Sequence, residues 1–132
     1  QITFLSKKNS FEEHINEYKK IDLALDTFPY NGVTTSFEAI WMGVPVLTLG
    51  GFNPHSRAGE SINKNLNMSY LIANNKDEYV QKAVEFSKNF EKVIKIRKNL
   101  FNKALESNLF NDKKFSKEFY ECLEKIYFNH SQ

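Results

Sequence analysis

The sequence predicts an α/β fold, in which a parallel sheet has flanking helices and further helices follow toward the C-terminus. Two apolar runs of strand length, residues 21–25 and 44–49, stand on either side of a turn and a helical segment. Parallel strands need a crossover connection, usually a helix, and strands buried on both faces have nearly continuous apolar sequences. We therefore expect a βαβ unit in a parallel sheet that is buried on both faces.

Turn residues fix where the helix between the two strands begins. Pro29 and Gly32 are typical of turns, so we expect the helix to begin at Thr34 or Thr35 and to end at Gly43. Ligands of open α/β sheets bind outside the carboxyl ends of the strands. A helix start also offers unpaired N–H groups and a partial positive charge, which suit a phosphate. This loop and the first helical turn therefore form the candidate ligand site.

Two interpretations of this helix start remain open. Thr35 and Glu38 have the spacing of a capping box, in which the threonine caps the helix and the glutamate reaches back to the cap N–H. Alternatively, Gly32 lets the backbone approach a phosphate, and Thr34 adds a second hydroxyl. Glu38 would then accept hydrogen bonds from ribose hydroxyls. Neither GxGxxG nor GxxxxGK[ST] is present, so spacing alone favours neither interpretation.

The remaining elements follow from turn signals and apolar periodicity. Residues 1–5 predict a short strand, and Ser10 predicts a cap for the helix after it. Ser56 predicts the start of a helix that ends near Asn65, and residues 70–73 predict a last strand. Apolar residues at three- and four-residue steps then predict three helices whose apolar stripes face the core. The last stripe comprises Phe115, Phe119, Cys122, Leu123, Ile126 and Tyr127.

Composition predicts one globular domain from a reducing compartment. The chain has 132 residues, with twelve Phe and six Tyr to fill a core. Its net charge of +2 is too balanced to indicate nucleic-acid binding. The lone Cys122 excludes an intrachain disulfide and favours a cytoplasmic location. No apolar run approaches the roughly 18 residues that cross a membrane, so no membrane is expected either. Because the chain begins with Gln1, we expect it to be the tail of a longer protein.

A long block of the sequence is similar to a known family. The run DTFPYNGVTT, continuing through EAIWMGVPVLT within residues 26–48, resembles the C-terminal catalytic region of the O-GlcNAc transferase/SPINDLY family, glycosyltransferase family 41. The similarity continues through Arg57 and more weakly to residues 107–111. It implies a Rossmann-like parallel sheet with flanking helices, the C-terminal lobe of a GT-B glycosyltransferase. Residues 1–75 would form a partial nucleotide-binding α/β lobe, and residues 76–132 C-terminal helices packing on that lobe as one domain.

The resemblance implies a nucleotide-sugar donor, with UDP-GlcNAc and transfer of N-acetylglucosamine to Ser or Thr of proteins as the expected chemistry. GDP-fucose, the donor of SPINDLY-like members, is one alternative. A non-catalytic nucleotide-binding or scaffold fragment is another. Tetratricopeptide repeats and a second Rossmann-like lobe upstream would favour the enzyme.

The resemblance also implies which residues bind the nucleotide sugar. His14 matches a family histidine that contacts the nucleobase, and Thr34 and Thr35 keep the pair that binds the diphosphate. Glu38 matches a glutamate of SPINDLY-like members and replaces an aspartate of the animal enzymes. The candidate nucleotide-sugar site comprises His14, Gly32, Val33, Thr34, Thr35 and Glu38.

Two positions depart from the family pattern. Val33 stands where O-GlcNAc transferases have histidine, and valine offers no hydrogen bond. Phe11 stands where members that use UDP have a lysine, so one expected ribose contact is missing. The departures leave the identity of the nucleotide open.

Neither a catalytic residue nor a metal site is expected in this chain. The three histidines are scattered, and no carboxylate pair or CxxC motif joins them. Helix-start N–H groups and threonines can offset diphosphate charge, so no metal cofactor is expected. The resemblance implies that the catalytic base and a phosphate-binding lysine lie upstream, in the N-terminal part of the enzyme. Further expected partners are a protein acceptor and a second copy of the chain, paired through an exposed sheet edge.

Overall fold

A computed structural model gives the structure of residues 2–130. In that range the helices are α1 (Phe11–Glu17), α2 (Thr34–Trp41), α3 (Ala58–Asn65), α4 (Lys76–Lys88), α5 (Phe90–Glu106) and α6 (Asp112–His130). The strands are β1 (Ala24–Leu25), β2 (Val46–Leu49) and β3 (Ile72–Ala73). Short 3₁₀ turns occupy Tyr18–Lys20, Pro54–Ser56, Ser69–Leu71 and Asn108–Phe110.

The strands form the predicted parallel sheet, in the order β1–β2–β3. Ala24 lies opposite Val46, and Thr48 lies opposite Ile72. Helices α2, α3 and α4 contact β2, while α5 packs against α2 and α4. Because all strands run the same way, their carboxyl ends lie at one edge of the sheet, where the predicted site begins.

Several local sequence signals act as predicted. Ser10 caps α1, since its Oγ accepts a hydrogen bond of 3.2 Å from the N–H of Glu13. Gly43 follows the end of α2 at φ +73°, a left-handed conformation that commonly ends helices. The structure adds a cap that was not predicted, at Asn75, whose Oδ1 accepts from the N–H of Glu78 at 2.9 Å at the start of α4. Side-chain caps and glycine therefore set these boundaries locally.

The hydrophobic core lies around the central strand. All four residues of β2 are buried, and helices on either side contribute aliphatic side chains. Its largest fully buried aliphatic side chains are Ile40, Leu47, Leu66, Met68, Leu71, Leu100 and Val44. The prediction of strands buried on both faces is thus confirmed for β2.

For β1 the same prediction is wrong. Leu25 is 55% exposed, and β1 is an edge strand of the sheet order. An edge strand has a neighbour on one side only. The apolar run at residues 21–25 indicated a strand correctly, but a run of that kind does not distinguish an edge strand from a central one.

Two further predictions of local structure are wrong. Residues 2–5 form no strand, because no strand of the described chain pairs with them, and their apolar side chains are exposed. Gln1, which was predicted to belong to the same strand, lies outside the described residues. Ser56 does not cap α3. Its hydroxyl instead donates to the carbonyl of Asn53 at 2.8 Å and closes a 3₁₀ turn, so α3 begins after Arg57.

The apolar stripe on α6 is exposed, although the sequence predicted that it faces the core. Phe115 is 65%, Phe119 54% and Leu123 49% exposed. The Phe115 and Phe119 rings stack on each other, with centroids 5.8 Å apart. Periodicity identifies the apolar face of a helix, but it does not show what covers that face.

No helix within residues 2–130 is long and apolar enough to cross a membrane.

Candidate functional site

The start of α2 lies where the sequence placed it, after the loop that leaves β1. The helix begins at Thr34, and Val33 is its N-cap residue, with no side-chain hydrogen bond to the cap. Thr34 and Thr35 are both exposed. The first N–H groups of α2 therefore meet solvent together with two hydroxyl groups, an arrangement that suits an anion.

The capping-box interpretation of this helix start is wrong. Thr35 lies within the first turn of α2 and not at the cap position. Glu38 does not reach back to a cap N–H, because its carboxylate turns toward α1 and bonds to His14 and Tyr18. Local spacing allowed a capping box, but partners distant in sequence determine where this side chain points.

Asp26 holds the loop between β1 and α2, and sequence analysis gave it no role. Its Oδ1 accepts a hydrogen bond of 2.8 Å from the N–H of Gly32. Its Oδ2 accepts one of 2.7 Å from the hydroxyl of Thr48, which is fully buried in β2. An acidic residue directly after an apolar strand and before a glycine turn was the available signal. Asp26 thereby fixes the loop against the neighbouring strand.

Asn31 ties the loop after β1 to the loop after β2. It is 1% exposed, and its Nδ2 donates to the carbonyl of Thr27 at 2.9 Å. Its Oδ1 accepts from the N–H of Gly59 at 3.3 Å, and its own N–H donates to the carbonyl of His55 at 2.9 Å. The rings of His55 and Tyr30 stack with centroids 5.9 Å apart. The two loops at the carboxyl edge of the sheet are therefore joined.

Gly32 lies where a larger residue would collide with the first turn of α2. A Cβ at this position would lie 2.3 Å from Oγ1 of Thr35. Val33 is 50% exposed and directs an apolar side chain to the surface at the N-cap. The absence of a side chain at Gly32 thus permits the close approach of the loop to the Thr35 hydroxyl.

Glu38 joins α1 to α2 through one carboxylate oxygen. His14 Nε2 lies 3.0 Å from Oε2 of Glu38, and the Tyr18 hydroxyl donates to the same oxygen at 3.0 Å. An ionised carboxylate only accepts, so Nε2 carries the proton in this contact and Nδ1 of a neutral ring is an acceptor. The rings of His14 and Tyr18 meet edge to face, 5.7 Å apart.

Three of the six predicted residues, Gly32, Thr35 and His14, line one of two hollows that share Tyr18, whereas Val33, Thr34 and Glu38 line neither. A cavity of about 140 Å³ is lined by Tyr18, Asp26, Gly32 and Thr35, among others. His14 and Tyr18 also line a larger groove of about 1000 Å³, together with residues of the segment before α1. Tyr18 is common to both hollows. The sequence patterns indicated Gly32, Thr35 and His14, but they predicted no role for Tyr18.

Burial and the bond to Glu38 raise the pKa of Tyr18 to about 12. Its hydroxyl therefore stays protonated near neutral pH and can donate.

Within residues 2–130, no group of three or more His, Cys, Asp or Glu side chains is arranged to hold a metal ion. The polar groups gathered here are thus helix N–H groups, hydroxyls, one imidazole and the carboxylates of Asp26 and Glu38. The N–H groups and hydroxyls suit a phosphate, and a carboxylate suits the hydroxyl groups of a ligand.

The chain is similar in sequence and fold to known proteins. The model of Glycosyl transferase family 41 matches residues 1–119. A probable UDP-N-acetylglucosamine–peptide N-acetylglucosaminyltransferase SPINDLY of Solanum lycopersicum is 35% identical over 115 residues, which are 87% of this chain and 12% of that protein. The UDP-N-acetylglucosamine–peptide N-acetylglucosaminyltransferase of Caenorhabditis elegans is 28% identical over 116 residues, 88% of this chain and 10% of that protein.

A solved structure has the same arrangement of strands and helices. A mutant of the Thermobaculum terrenum O-GlcNAc transferase matches with a TM-score of 0.81 and 30% identity, over 87% of this chain and 22% of that chain. The predicted fold class, a parallel sheet with flanking helices, is therefore confirmed. The chain spans only about 12% of the length of the SPINDLY protein of Solanum lycopersicum.

Proposed function

Because this chain belongs to glycosyltransferase family 41, we propose that it is the nucleotide-sugar-binding C-terminal portion of an enzyme that transfers N-acetylglucosamine from UDP-GlcNAc to Ser or Thr of proteins. The names of its relatives support this donor over the GDP-fucose alternative, since they specify UDP-N-acetylglucosamine and a peptide acceptor. The observation that carries the proposal is the uncapped start of α2 at the carboxyl edge of a parallel sheet.

The diphosphate of the donor binds at the start of α2 in this proposal. The exposed Thr34 and Thr35 supply hydroxyl donors beside the helix N–H groups, and Gly32 keeps the approach free of a side chain. Val33 contributes only its backbone. Helix N–H groups and hydroxyls offset the charge that develops on the departing diphosphate, so no metal ion is required.

The nucleoside of the donor lies toward α1. His14 is partly exposed and has Nε2 engaged by Glu38, so its ring face and Nδ1 are available to the nucleobase. Both contacts described for the Glu38 carboxylate use Oε2. Oε1 is then the atom that accepts from ribose hydroxyls, as the sequence analysis proposed for Glu38.

Sugar transfer also needs a base that activates the acceptor hydroxyl, and we propose that another part of the enzyme supplies it. His14 is assigned to the nucleobase, and the ring of His55 is stacked on Tyr30. The protein acceptor would meet the donor in a cleft shared with that other part.

A cytoplasmic location is part of the same proposal, supported by the lone Cys122.

A donor panel assayed on the full-length protein tests the proposal. UDP-GlcNAc should be turned over with a protein acceptor, whereas GDP-fucose should not, and added EDTA should leave the rate unchanged. Turnover of GDP-fucose alone would replace the donor assignment. Binding of nucleotide without transfer to any acceptor would favour the non-catalytic alternative.

A further inference from the structure

Tyr18 lies at the junction of the two hollows, and none of the roles assigned so far belongs to it. It opens the 3₁₀ turn that follows α1, and its hydroxyl crosses to α2. There the hydroxyl donates to Oε2 of Glu38 at 3.0 Å and lies 3.3 Å from the carbonyl oxygen of Thr35. One phenol thus contacts both a proposed ribose ligand and the turn that carries a proposed diphosphate ligand.

The hydrogen bonds of Glu38 are distributed unevenly over its two oxygens. Oε2 receives both Tyr18 and His14, whereas no hydrogen bond described for residues 2–130 reaches Oε1. The Glu38 side chain is only 17% exposed. Two donors on one oxygen of a largely buried carboxylate fix its rotation, and they leave the other oxygen to an incoming hydroxyl.

The two donors to Oε2 differ in how firmly they are held. The His14 side chain is 47% exposed, and in the proposed function it also contacts the nucleobase. Tyr18 is more buried. The single proton of its hydroxyl is directed to the nearer acceptor, Oε2 of Glu38 at 3.0 Å, while the carbonyl oxygen of Thr35 lies farther away at 3.3 Å. When His14 adjusts to a base, Tyr18 is therefore the donor that keeps Glu38 in place.

We propose that Tyr18 is a positioning residue, which orients the carboxylate of Glu38 so that Oε1 receives the ribose hydroxyls of the nucleotide. The inference rests on the proposed function. The phenol stays a donor throughout the neutral range, because burial and its bond to Glu38 raise its pKa to about 12. Tyr18 itself makes no contact with the ribose, so its effect on binding passes through Glu38.

The test compares UDP with 2′-deoxy-UDP by calorimetry on the full-length protein. In Tyr18→Phe we expect UDP affinity to fall about five- to tenfold, the scale of one ordinary hydrogen bond, because the effect passes through Glu38. Affinity for 2′-deoxy-UDP should fall less, since part of the contact with Glu38 is already lost. Tyr70→Phe is the matched control: Tyr70 is partly exposed, lies outside both hollows and should leave both affinities unchanged.

A double-mutant cycle separates positioning from packing. In a Glu38→Ala background, which removes the acceptor of the Tyr18 hydroxyl, Tyr18→Phe should have little further effect on UDP affinity. An equal loss in both backgrounds, or an equal loss for both nucleotides, would mean that Tyr18 acts by packing and would overturn the inference. If Tyr18→Phe does not fold, Tyr18→Met also removes the donor, with a smaller but adaptable apolar side chain, and is measured in the same way.

UDP binding by the wild-type protein distinguishes a failure of the proposed function from a failure of this inference alone. A full-length protein that does not bind UDP contradicts the proposed function and this inference with it. A protein that binds UDP, but whose preference for UDP over 2′-deoxy-UDP is unchanged by Tyr18→Phe, overturns this inference alone.

Discussion

The spacing of Thr35 is compatible with a helix cap, but the structure places this residue inside the first turn of the helix. Its spacing from Glu38 fits a capping box, yet Val33 occupies the cap position and Glu38 bonds to His14 and Tyr18. The Thr35 hydroxyl is exposed at the helix start, close to the position that a Cβ of Gly32 would occupy. A residue that does not cap a helix can be replaced there at little cost in stability.

Thr35→Ala should weaken nucleotide binding without unfolding the protein. We expect the free energy of unfolding to change by no more than about 0.5 kcal/mol, as at other exposed sites. UDP affinity of the full-length protein should fall by a factor of about ten to a hundred, from the loss of a hydrogen bond to a charged group. Calorimetry and thermal melting measure the two quantities, with Ser61→Ala on the exposed surface of α3 as the control.

The opposite pattern would contradict this assignment. If Thr35→Ala lowered the melting temperature and left UDP affinity unchanged, the hydroxyl would be structural. The cost would then approach the 0.5–2 kcal/mol or so that is typical of a lost helix cap.

At the scale of elements, α3 approaches β2 closely because Gly59 has no side chain. A Cβ on Gly59 would lie 2.3 Å from Oγ1 of Thr48 and 2.4 Å from Oδ2 of Asp26. These two atoms are the partners of the hydrogen bond that holds the loop after β1. The packing of a helix on the central strand and the shape of the candidate site therefore depend on the same contact.

Gly59→Ala should destabilise the chain by about 1–3 kcal/mol, as overpacking of a buried contact does. The added methyl group must displace Thr48 or Asp26, so UDP affinity should fall as well. Gly50→Ala is the matched control, because a Cβ there has no neighbour closer than 3.6 Å. Urea unfolding of both variants gives the comparison, and equal stabilities would show that α3 shifts without cost.

The start of α4 is fixed by charge as well as by its cap. Glu78 accepts hydrogen bonds from Lys82 and from the backbone and side chain of Asn74. The Lys82 ammonium first, and then Asn74, lower the pKa of Glu78 from its usual 4.5 to about 2. The ionised carboxylate thus stabilises the turn between β3 and α4.

The contribution of Glu78 should disappear in acid. Its pKa in the folded chain is lower than in the unfolded chain, so the stabilisation is present above about pH 4.5 and is lost as the pH falls toward 2. Glu78→Gln should therefore be less stable than the wild type at pH 6 and nearly equal to it at pH 2. Urea unfolding at the two pH values measures this, with Glu106→Gln as control. A difference that does not depend on pH would assign the effect to packing.

On the scale of the whole molecule, two of the surfaces that carry exposed apolar groups are candidates for association with another chain. One is the face of α6 with Phe115, Phe119 and Leu123, and the other is the edge strand β1 with Leu25. Exposed apolar faces and unpaired strand edges are typical sites of association. The homo-oligomer expected from the sequence would use the edge of β1, and the face of α6 is a second surface that the structure adds.

The isolated chain should self-associate and should not catalyse sugar transfer. Light scattering should detect species larger than a monomer, and Phe119→Glu should reduce them, because Phe119 is 54% exposed on α6. The fold should tolerate this change, and Lys117→Gln on the same helix, which lowers the net charge by the same one unit, is the control for charge. Multiple turnover of UDP-GlcNAc by a monomeric 132-residue chain would contradict the assignment of the base to another part of the enzyme.

The sequence alone determined the features that depend on near neighbours. Turn residues and the apolar run at 44–49 fixed the start of α2 and the strand β2, and the block at residues 26–48 indicated the family that the match over residues 1–119 confirms. The helix cap at Ser10 was also predicted from the sequence. Each of these depends on backbone preferences and hydrogen bonds within a few residues, which spacing in the sequence records directly.

Tertiary structure alone decided which distant groups meet. The bonds of Glu38 to His14 and Tyr18, and of Asp26 to Thr48, join residues 20 or more positions apart. Whether an apolar run is covered also depends on its neighbours, so β2 is buried while β1 and α6 are exposed. Such contacts follow from the packing of whole elements, and the free energy of that packing is not encoded in any local pattern.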